Sequence, residues 1–218
     1  MQSKARPILF SGPMVRAILA GRKTQTRRLV KPQPWLNDVG QWLWESKKGK
    51  HIAFHPDLNE QHYPGTKLQH VCPYGVSGDR LWVRETGWRR PDRTPKMMRE
   101  GADTWARYYY DADGLGESDH EQFKEWGFQR RPSIFMPRWA SRITLEVVSA
   151  RVERLQEISQ DDAVAEGCDD IRDGIPKAGR VMYADGPRAA YSVLWDTING
   201  PGAWDKNPFV WVVEFSRR

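Results

Sequence analysis

Hydrophobic and polar residues alternate along several short stretches of the chain, and this period of two is typical of half-buried β-strands. The longest such stretch, Arg142–Leu155, places Ile143 and Leu145 on one face. The same alternation predicts shorter strands at Thr26–Val30 and Arg80–Thr86, and further short strands are expected at Arg6–Phe10, Trp105–Tyr110 and Phe209–Phe215. The chain is therefore expected to be rich in strands.

Apolar residues at helical spacing, together with start and stop signals, predict three helices. They cover Ser11–Gly21, Ser159–Gly167 and Pro187–Asn199. The first has Pro13 in its first turn, and the second begins with a capping box formed by Ser159 and Asp162. Each helix is followed or closed by a glycine, which is a common stop signal.

The order of these elements indicates the fold class. The helices do not alternate regularly with the strands, which disfavours a doubly wound parallel sheet and favours a small β-barrel flanked by helices. Two stretches without a sustained period, at 34–75 and 87–137, are interpreted as long insertions. The expected structure is a single α+β domain of residues 1–218 with these two insertions.

Positive charge is concentrated at the start of the chain. The sequence has 34 Lys or Arg and 28 Asp or Glu, which gives a net charge of +6. Residues 1–31 contain eight of the basic residues and no acidic one, and Asp38 is the first acid. Because this segment also carries helix and strand signals, the charge is expected on a folded surface. Concentrated positive charge suggests an anionic partner, above all nucleic acid or a nucleotide.

Composition excludes several classes of protein. The 11 Trp, seven Tyr and seven Phe need burial or a partner, which argues against disorder throughout. No apolar run approaches the roughly 18 residues of a membrane span, and the apolar stretch near the start is shorter than a signal-peptide core. We expect a cytoplasmic protein with no membrane partner. Cys72 and Cys168 are too few for a disulfide framework and are expected as free thiols.

The basic segment does not contain a phosphate-binding P-loop. Residues 21–24, GRKT, resemble the end of that motif, but the motif requires a glycine where this chain has Arg16. The predicted helix also precedes the loop, whereas in a P-loop it follows. The dinucleotide-binding glycine fingerprint is absent as well.

The segment from Ile18 to Arg28, ILAGRKTQTRR, joins the first predicted helix to the second predicted strand. Its pattern G-R-K-T-x-T-x-R resembles the signature of the ASCH domain, a member of the PUA-like superfamily of small barrels. Three further features occur in the order of that family: the Gly78-Asp79 turn, the helix Ser159–Gly167 and the final strand ending at Val213–Phe215. The chain looks most like the larger ASCH proteins carried by phages and prophages.

The resemblance implies a pocket that handles RNA or a nucleobase. One branch of small ASCH proteins is similar to amidohydrolases that remove the acetyl group from N4-acetylcytidine by means of a lysine, a threonine and a glutamate. Matched by motif, these catalytic candidates are Lys23, Thr26 and Glu166. We expect no cofactor and no metal.

The residues themselves can support this chemistry. Lys23 is surrounded in sequence by Arg22, Arg27 and Arg28, and nearby like charge disfavours the ammonium form of a lysine. A neutral lysine can activate Thr26 as the nucleophile that attacks an amide carbonyl. Glu166 would then carry a proton to the departing amino group, and Arg28 would hold the substrate or the developing oxyanion.

Other interpretations of the same residues stay open. In a non-catalytic reader of RNA or modified nucleic acid, the basic residues bind phosphate, Thr26 is an ordinary strand residue and Glu166 a helix-surface acid. In a ribonuclease, Lys23 or Glu85 would take part in the chemistry. The candidates for binding a nucleoside or RNA are Arg22, Arg27, Arg28, Glu85 and Arg138. The pattern does not indicate an oligomeric state.

The predicted insertions carry two further signals. Aromatic and basic residues are neighbours at Trp88-Arg89-Arg90 and Arg138-Trp139, and a pair of arginines lies at Arg130-Arg131. Such residues stack on bases and contact phosphates, although packed tryptophans with outward arginines are the more common arrangement. A window of 22 residues holds His51, His55, His62, His70 and Cys72. Their spacing matches no standard zinc signature, so ordinary loop histidines are favoured over a metal site.

Overall fold

The computed structural model describes residues 5–45, 51–53, 72–90, 98–99, 101, 106–168, 175–177, 180–182 and 186–218. Its helices and strands follow one another without a regular βα repeat, which confirms the α+β class. The helices are α1 (Gly12–Leu19), α2 (Glu117–Glu125), α3 (Gln160–Ala165) and α4 (Pro187–Asn199). The strands are β1 (Ala5–Leu9), β2 (Gln25–Leu29), β3 (Trp35–Leu36), β4 (Trp42–Glu45), β5 (His51–Ala53), β6 (Arg80–Arg84), β7 (Gly87–Arg89), β8 (Tyr108–Tyr110), β9 (Gln129–Arg131), β10 (Thr144–Arg154), β11 (Ile175–Lys177), β12 (Arg180–Met182) and β13 (Phe209–Arg217).

Five strands form the central sheet in the order β1, β6, β10, β13, β2. The pair β1 and β6 is parallel, and the other neighbours are antiparallel. Among the described residues β1 and β2 are the edges of this sheet, and no strand pairing closes it into the expected barrel. A side-chain hydrogen bond links the two edges, because Nη2 of Arg28 donates to the carbonyl oxygen of Leu9 at 2.6 Å.

Strand β13 separates two hydrophobic cores. Its residues Trp211, Val213 and Phe215 pack with apolar side chains of β1, β6 and α1 in what we call the inner core. Val210 and Val212 point to the opposite face and pack with α3 and α4 in the helix-side core. All five side chains are buried, which explains why this strand has an almost continuous apolar sequence.

The predicted capping box of α3 is present and holds the start of the helix. The N–H of Asp162 donates to Oγ of Ser159 at 3.0 Å, and the N–H of Ser159 donates to the Asp162 carboxylate at 3.2 Å. The helix is followed by Gly167, whose φ of 88° is a left-handed conformation. The N–H of Thr24 donates to the carbonyl oxygen of Ala165 at 2.9 Å. The end of α3 therefore lies against the basic loop between α1 and β2.

The segments predicted as irregular contain small sheets of their own. Strands β3, β4 and β5 form one sheet, and strands β8, β7 and β9 form another. In the first sheet, Trp44 packs on Trp211 of the inner core with 6.3 Å between ring centroids. The second sheet and α2 enclose Trp88, Phe123 and Phe128. Apart from β8, which lies within the strand predicted at Trp105–Tyr110, these strands were not predicted, because their two to four residues are too few for a period to show in the sequence.

Several sequence predictions fall at the limits of the described chain. The strand predicted at Trp105–Tyr110 is present as Tyr108–Tyr110, and residue 105 lies outside the described residues. His55, His62 and His70 also lie outside them, and only the backbone of His51 is described. Cys72 and Cys168 are both buried, and neither forms a disulfide within the described residues.

The described residues contain neither a metal-ligand cluster nor a membrane-spanning helix. They hold no group of three or more His, Cys, Asp or Glu side chains arranged to bind a metal ion. The helices within the same ranges are all too short or too polar to cross a membrane.

Candidate active site around a buried lysine

Lys23 lies in the tight loop that joins α1 to β2, and its side chain is fully enclosed. Its Nζ donates to Oε2 of Glu166 at 2.6 Å and to the backbone oxygen of the same residue at 2.8 Å. Glu166 directly follows α3 and is itself buried. The fold thus brings together two predicted catalytic residues that are 143 positions apart in the chain.

Burial is the main influence on the Lys23 amine, and it lowers the pKa of that group. The charge and the hydrogen bond of Glu166 act in the opposite direction, and the charge of Arg28 lowers the pKa further. The neighbouring arginines, which the sequence suggests as the main cause of this lower pKa, have a smaller effect than burial. Burial has the larger effect because Arg22 is exposed and the Arg27 side chain is directed at carboxylates.

Arg27 is buried among three carboxylates. Its Nη2 lies 3.0 Å from Oε2 of Glu153 and 3.1 Å from Oδ2 of Asp162, and its Nη1 lies 3.7 Å from Oε1 of Glu166. Oε1 is buried and accepts no hydrogen bond within the described part of the chain. A ligand could reach the Arg27 guanidinium only by displacing these carboxylates.

A second guanidinium extends this network. Arg151 lies 2.5 Å from Glu153, contacts Glu214, and approaches Asp162 at 3.9 Å. Burial alone would raise the pKa of Asp162, but hydrogen bonds from Ser159 and the charge of Arg27 hold it below its usual value. In the sequence, Asp162 is recognisable only as a capping residue of α3, and nothing marks Glu153 as part of the site. A capping box is a local pattern, whereas no local pattern indicates that Glu153 of β10 pairs with Arg27 of β2.

Thr26 and Arg28 point to the other side of β2 from Arg27, because successive side chains of a strand alternate. Thr26 is buried and is paired in register with Val213, so it faces the inner core. The guanidinium of Arg28 lies 5.2 Å from the centroid of the Phe10 ring, and Nζ of Lys23 lies 5.7 Å from the same point. Thr26 and Arg28 therefore lie on the same face of β2. Arg28 and Lys23 both approach the Phe10 ring. Within the described residues the Thr26 hydroxyl forms no hydrogen bond to Lys23.

Tyr191 of α4 is a further residue of this region that the sequence did not indicate. It is buried in the helix-side core. Burial, followed by the charge of Glu166, raises the pKa of its phenol well above the usual value. The phenol is therefore neutral at physiological pH.

The other predicted binding residues are Glu85, Arg138 and Arg22, and Glu85 is paired with an arginine of its own. Both carboxylate oxygens of Glu85 accept hydrogen bonds from Arg142, at 3.1 and 2.9 Å, and Glu85 is only 1% exposed. Arg138 is exposed, and its guanidinium lies 5.9 Å from the ring of Trp82. Arg22 is exposed on the loop beside Lys23.

Comparison of the chain with protein-family models, with curated proteins and with solved structures found no match. The function must therefore be inferred from the geometry of the site.

Proposed function

We propose that the protein is an amidohydrolase of the ASCH type, with a PUA-like core, that removes an N4-acyl group from cytidine. The observation that carries this proposal is the enclosed contact of 2.6 Å between Nζ of Lys23 and Oε2 of Glu166, next to the strand that bears Thr26. A base and an acid in contact, together with a hydroxyl as nucleophile, are the groups that amide hydrolysis needs, and Thr26 follows Lys23 by three positions.

In the proposed reaction Lys23 accepts the proton of the Thr26 hydroxyl, and Oγ1 of Thr26 bonds to the acyl carbon of the substrate. The bond between that carbon and N4 then breaks, and Glu166 passes a proton to the leaving amino group. Water hydrolyses the resulting ester, which releases the carboxylic acid and restores Thr26. The products are cytidine and the free acid.

The surroundings of the pair favour these roles. Burial lowers the pKa of Lys23, which favours the neutral amine that a base requires. Because Lys23 and Glu166 are in direct contact, a proton can pass between them without crossing solvent. Arg28, which lies beside the Phe10 ring, has a buried Nε without a hydrogen-bond partner among the described residues. That N–H is available to hold the oxyanion.

The test is release of cytidine from N4-acetylcytidine, with Thr26→Val as the decisive variant. Valine matches threonine in shape and lacks only the hydroxyl, so we expect a loss of activity of at least about a hundredfold with the fold retained. Thr26→Ser should retain part of the activity. The matched control is Thr24→Val, an exposed threonine two positions away, which should leave the rate unchanged.

Two results would contradict the proposal. One is the absence of cytidine release from the wild-type protein across several acyl groups. The other is a Thr26→Val variant as active as the wild type.

A second candidate, a non-catalytic reader of nucleic acid, is favoured by the fact that Nζ of Lys23 already donates to two oxygens of Glu166 in the enclosed site. Binding of an oligonucleotide without turnover, with affinity that falls steeply as salt rises, would support it. Shortened RNA among the products would indicate the ribonuclease instead.

A further inference from the structure

Residues 133–140, which we call the ridge, form a surface feature built from two short 3₁₀ turns. Three of its large apolar side chains point to solvent: Ile134 is 55% exposed, Phe135 67% and Trp139 50%. Neighbouring large apolar side chains with this exposure mark an interaction site more often than a single one does.

The backbone of the ridge is firmly held. The N–H of Glu85 donates to Sδ of the buried Met136 at 3.0 Å, and Nη1 of Arg84 donates to the carbonyl oxygen of Ile134 at 3.1 Å. The hydroxyl of Tyr110 donates to the carbonyl oxygen of Ala140 at 2.7 Å. The exposed side chains are therefore presented by an ordered backbone, which reduces the entropy lost on binding.

Arginines are concentrated in the sequence around the ridge. From residue 126 to residue 145 there are four arginines and no acidic residue, and two of them, Arg130 and Arg142, pair with acids from outside this stretch. Arg107 lies over the Trp139 ring at 4.6 Å, and Arg84 lies over the Trp82 ring at 4.7 Å. Neither they nor Arg138 forms an ion pair within the described ranges. Exposed aromatic rings combined with uncompensated arginines are what a strand of nucleic acid recognises, through base stacking and phosphate contacts.

The ridge is linked to the Lys23 site through Arg84 and Phe10. The N–H of Phe10 donates to the carbonyl oxygen of Arg84 at 3.4 Å, and Arg84 in turn holds Ile134. The ring of Phe10 is also the one that Nζ of Lys23 approaches to 5.7 Å. Three direct contacts thus connect the ridge to the site.

We propose that the ridge binds a single-stranded nucleic acid, with a base stacked on Trp139 and phosphates held by Arg107 and Arg138. It follows that the Lys23 site acts more efficiently on a nucleotide within a polymer than on a free nucleoside. The second statement rests on the proposed function, whereas the first does not.

The first experiment measures binding of a fluorescein-labelled RNA of about 12 nucleotides to the full chain by fluorescence anisotropy. Trp139→Ala should weaken binding by at least about fivefold, because it removes one stacking platform. Trp139→Phe should retain most of the affinity. The matched control is Ile198→Ala, which removes another half-exposed apolar side chain, on α4, and should not change binding. Arg107→Gln should reduce the salt dependence of binding between about 50 and 200 mM salt.

The second experiment separates the two statements. N4-acetylcytidine and an RNA containing one such residue are supplied to the wild type and to Trp139→Ala, and cytidine formation is followed in both. We expect Trp139→Ala to raise the KM for the RNA and to leave turnover of the free nucleoside unchanged. If RNA binding depends on Trp139 but neither substrate is turned over, the proposed function is overturned and the proposal that the ridge binds nucleic acid stands.

Three outcomes would overturn the ridge proposal itself. The first is equal RNA affinity of wild type and Trp139→Ala, even where the nucleoside is hydrolysed. The second is a loss of RNA affinity in Ile198→Ala as large as the loss in Trp139→Ala. The third is self-association of the protein that Trp139→Ala abolishes, with no RNA binding, which would assign the ridge to a contact between copies of this chain.

Discussion

At the scale of single residues, removing one partner of the buried pair of Lys23 and Glu166 should be strongly destabilising. Lys23→Met leaves the Glu166 carboxylate buried without its closest partner, and we expect a loss of about 3–5 kcal/mol in the free energy of unfolding. Adding Glu166→Gln to this variant removes the uncompensated charge and should recover part of the loss. Urea denaturation of both variants measures the coupling.

Lys206→Met provides the control for this cycle, because Lys206 is exposed and its loss should change stability by less than about 0.5 kcal/mol. If Lys23→Met is as stable as the control, the pair does not hold the site together.

Asp162 should make stability depend on pH in the acid range. Its pKa is lowered in the folded protein, so its contribution is present above the unfolded value of about 3.9 and is lost as pH falls through the folded value. Asp162→Asn should therefore be less stable than the wild type near neutral pH, and the difference should shrink below about pH 4. Urea midpoints across this range test the prediction, with the exposed Asp161→Asn as control. A difference that stays constant with pH would contradict it.

At the scale of elements, the glycine after α3 sets how closely this helix approaches the basic loop. Gly167 has a φ of 88°, and a Cβ there would lie 3.2 Å from Cβ of Ala17 and 3.5 Å from Cβ of Lys23. Gly167→Ala should therefore cost more than the 1–2 kcal/mol, roughly, of the left-handed backbone alone. Gly21→Ala is the control, because Gly21 has a φ of 74° with no atom within 4 Å of an added Cβ. Equal losses of stability in urea would show that the close packing has no effect.

Much of the element pattern was predictable, because the signals were local. The capping box of Ser159 and Asp162 fixed the start of α3, and alternation located the long strand β10. The short strands β3–β5 were missed because they contain too few residues for a period. Alternation also places Arg27 and Thr26 on opposite faces of β2, but it cannot identify what lies on either face.

The contact between Lys23 and Glu166 was anticipated only through the family resemblance. No property of the intervening chain encodes the distance between two residues 143 positions apart. The charge of the basic segment did indicate a special site. The carboxylates that pair with Arg27 belong to Glu153 of β10 and Asp162 of α3. The polar residues of these two elements are equally typical of a solvated surface, so the sequence does not mark them as partners.

At the scale of the whole molecule, the two cores share strand β13 and should unfold as one unit. Val213 belongs to the inner core and Val212 to the helix-side core, and both are fully buried. Val213→Ala and Val212→Ala should each lower the free energy of unfolding by about 2 kcal/mol, through lost apolar burial and a small cavity. Because adjacent residues of one strand connect the cores, each variant should shift a single transition in which far-ultraviolet circular dichroism and tryptophan fluorescence coincide. Separation of the two signals in either variant would show that the inner core, which Thr26 faces, is stable without the helices that carry Glu166 and Tyr191.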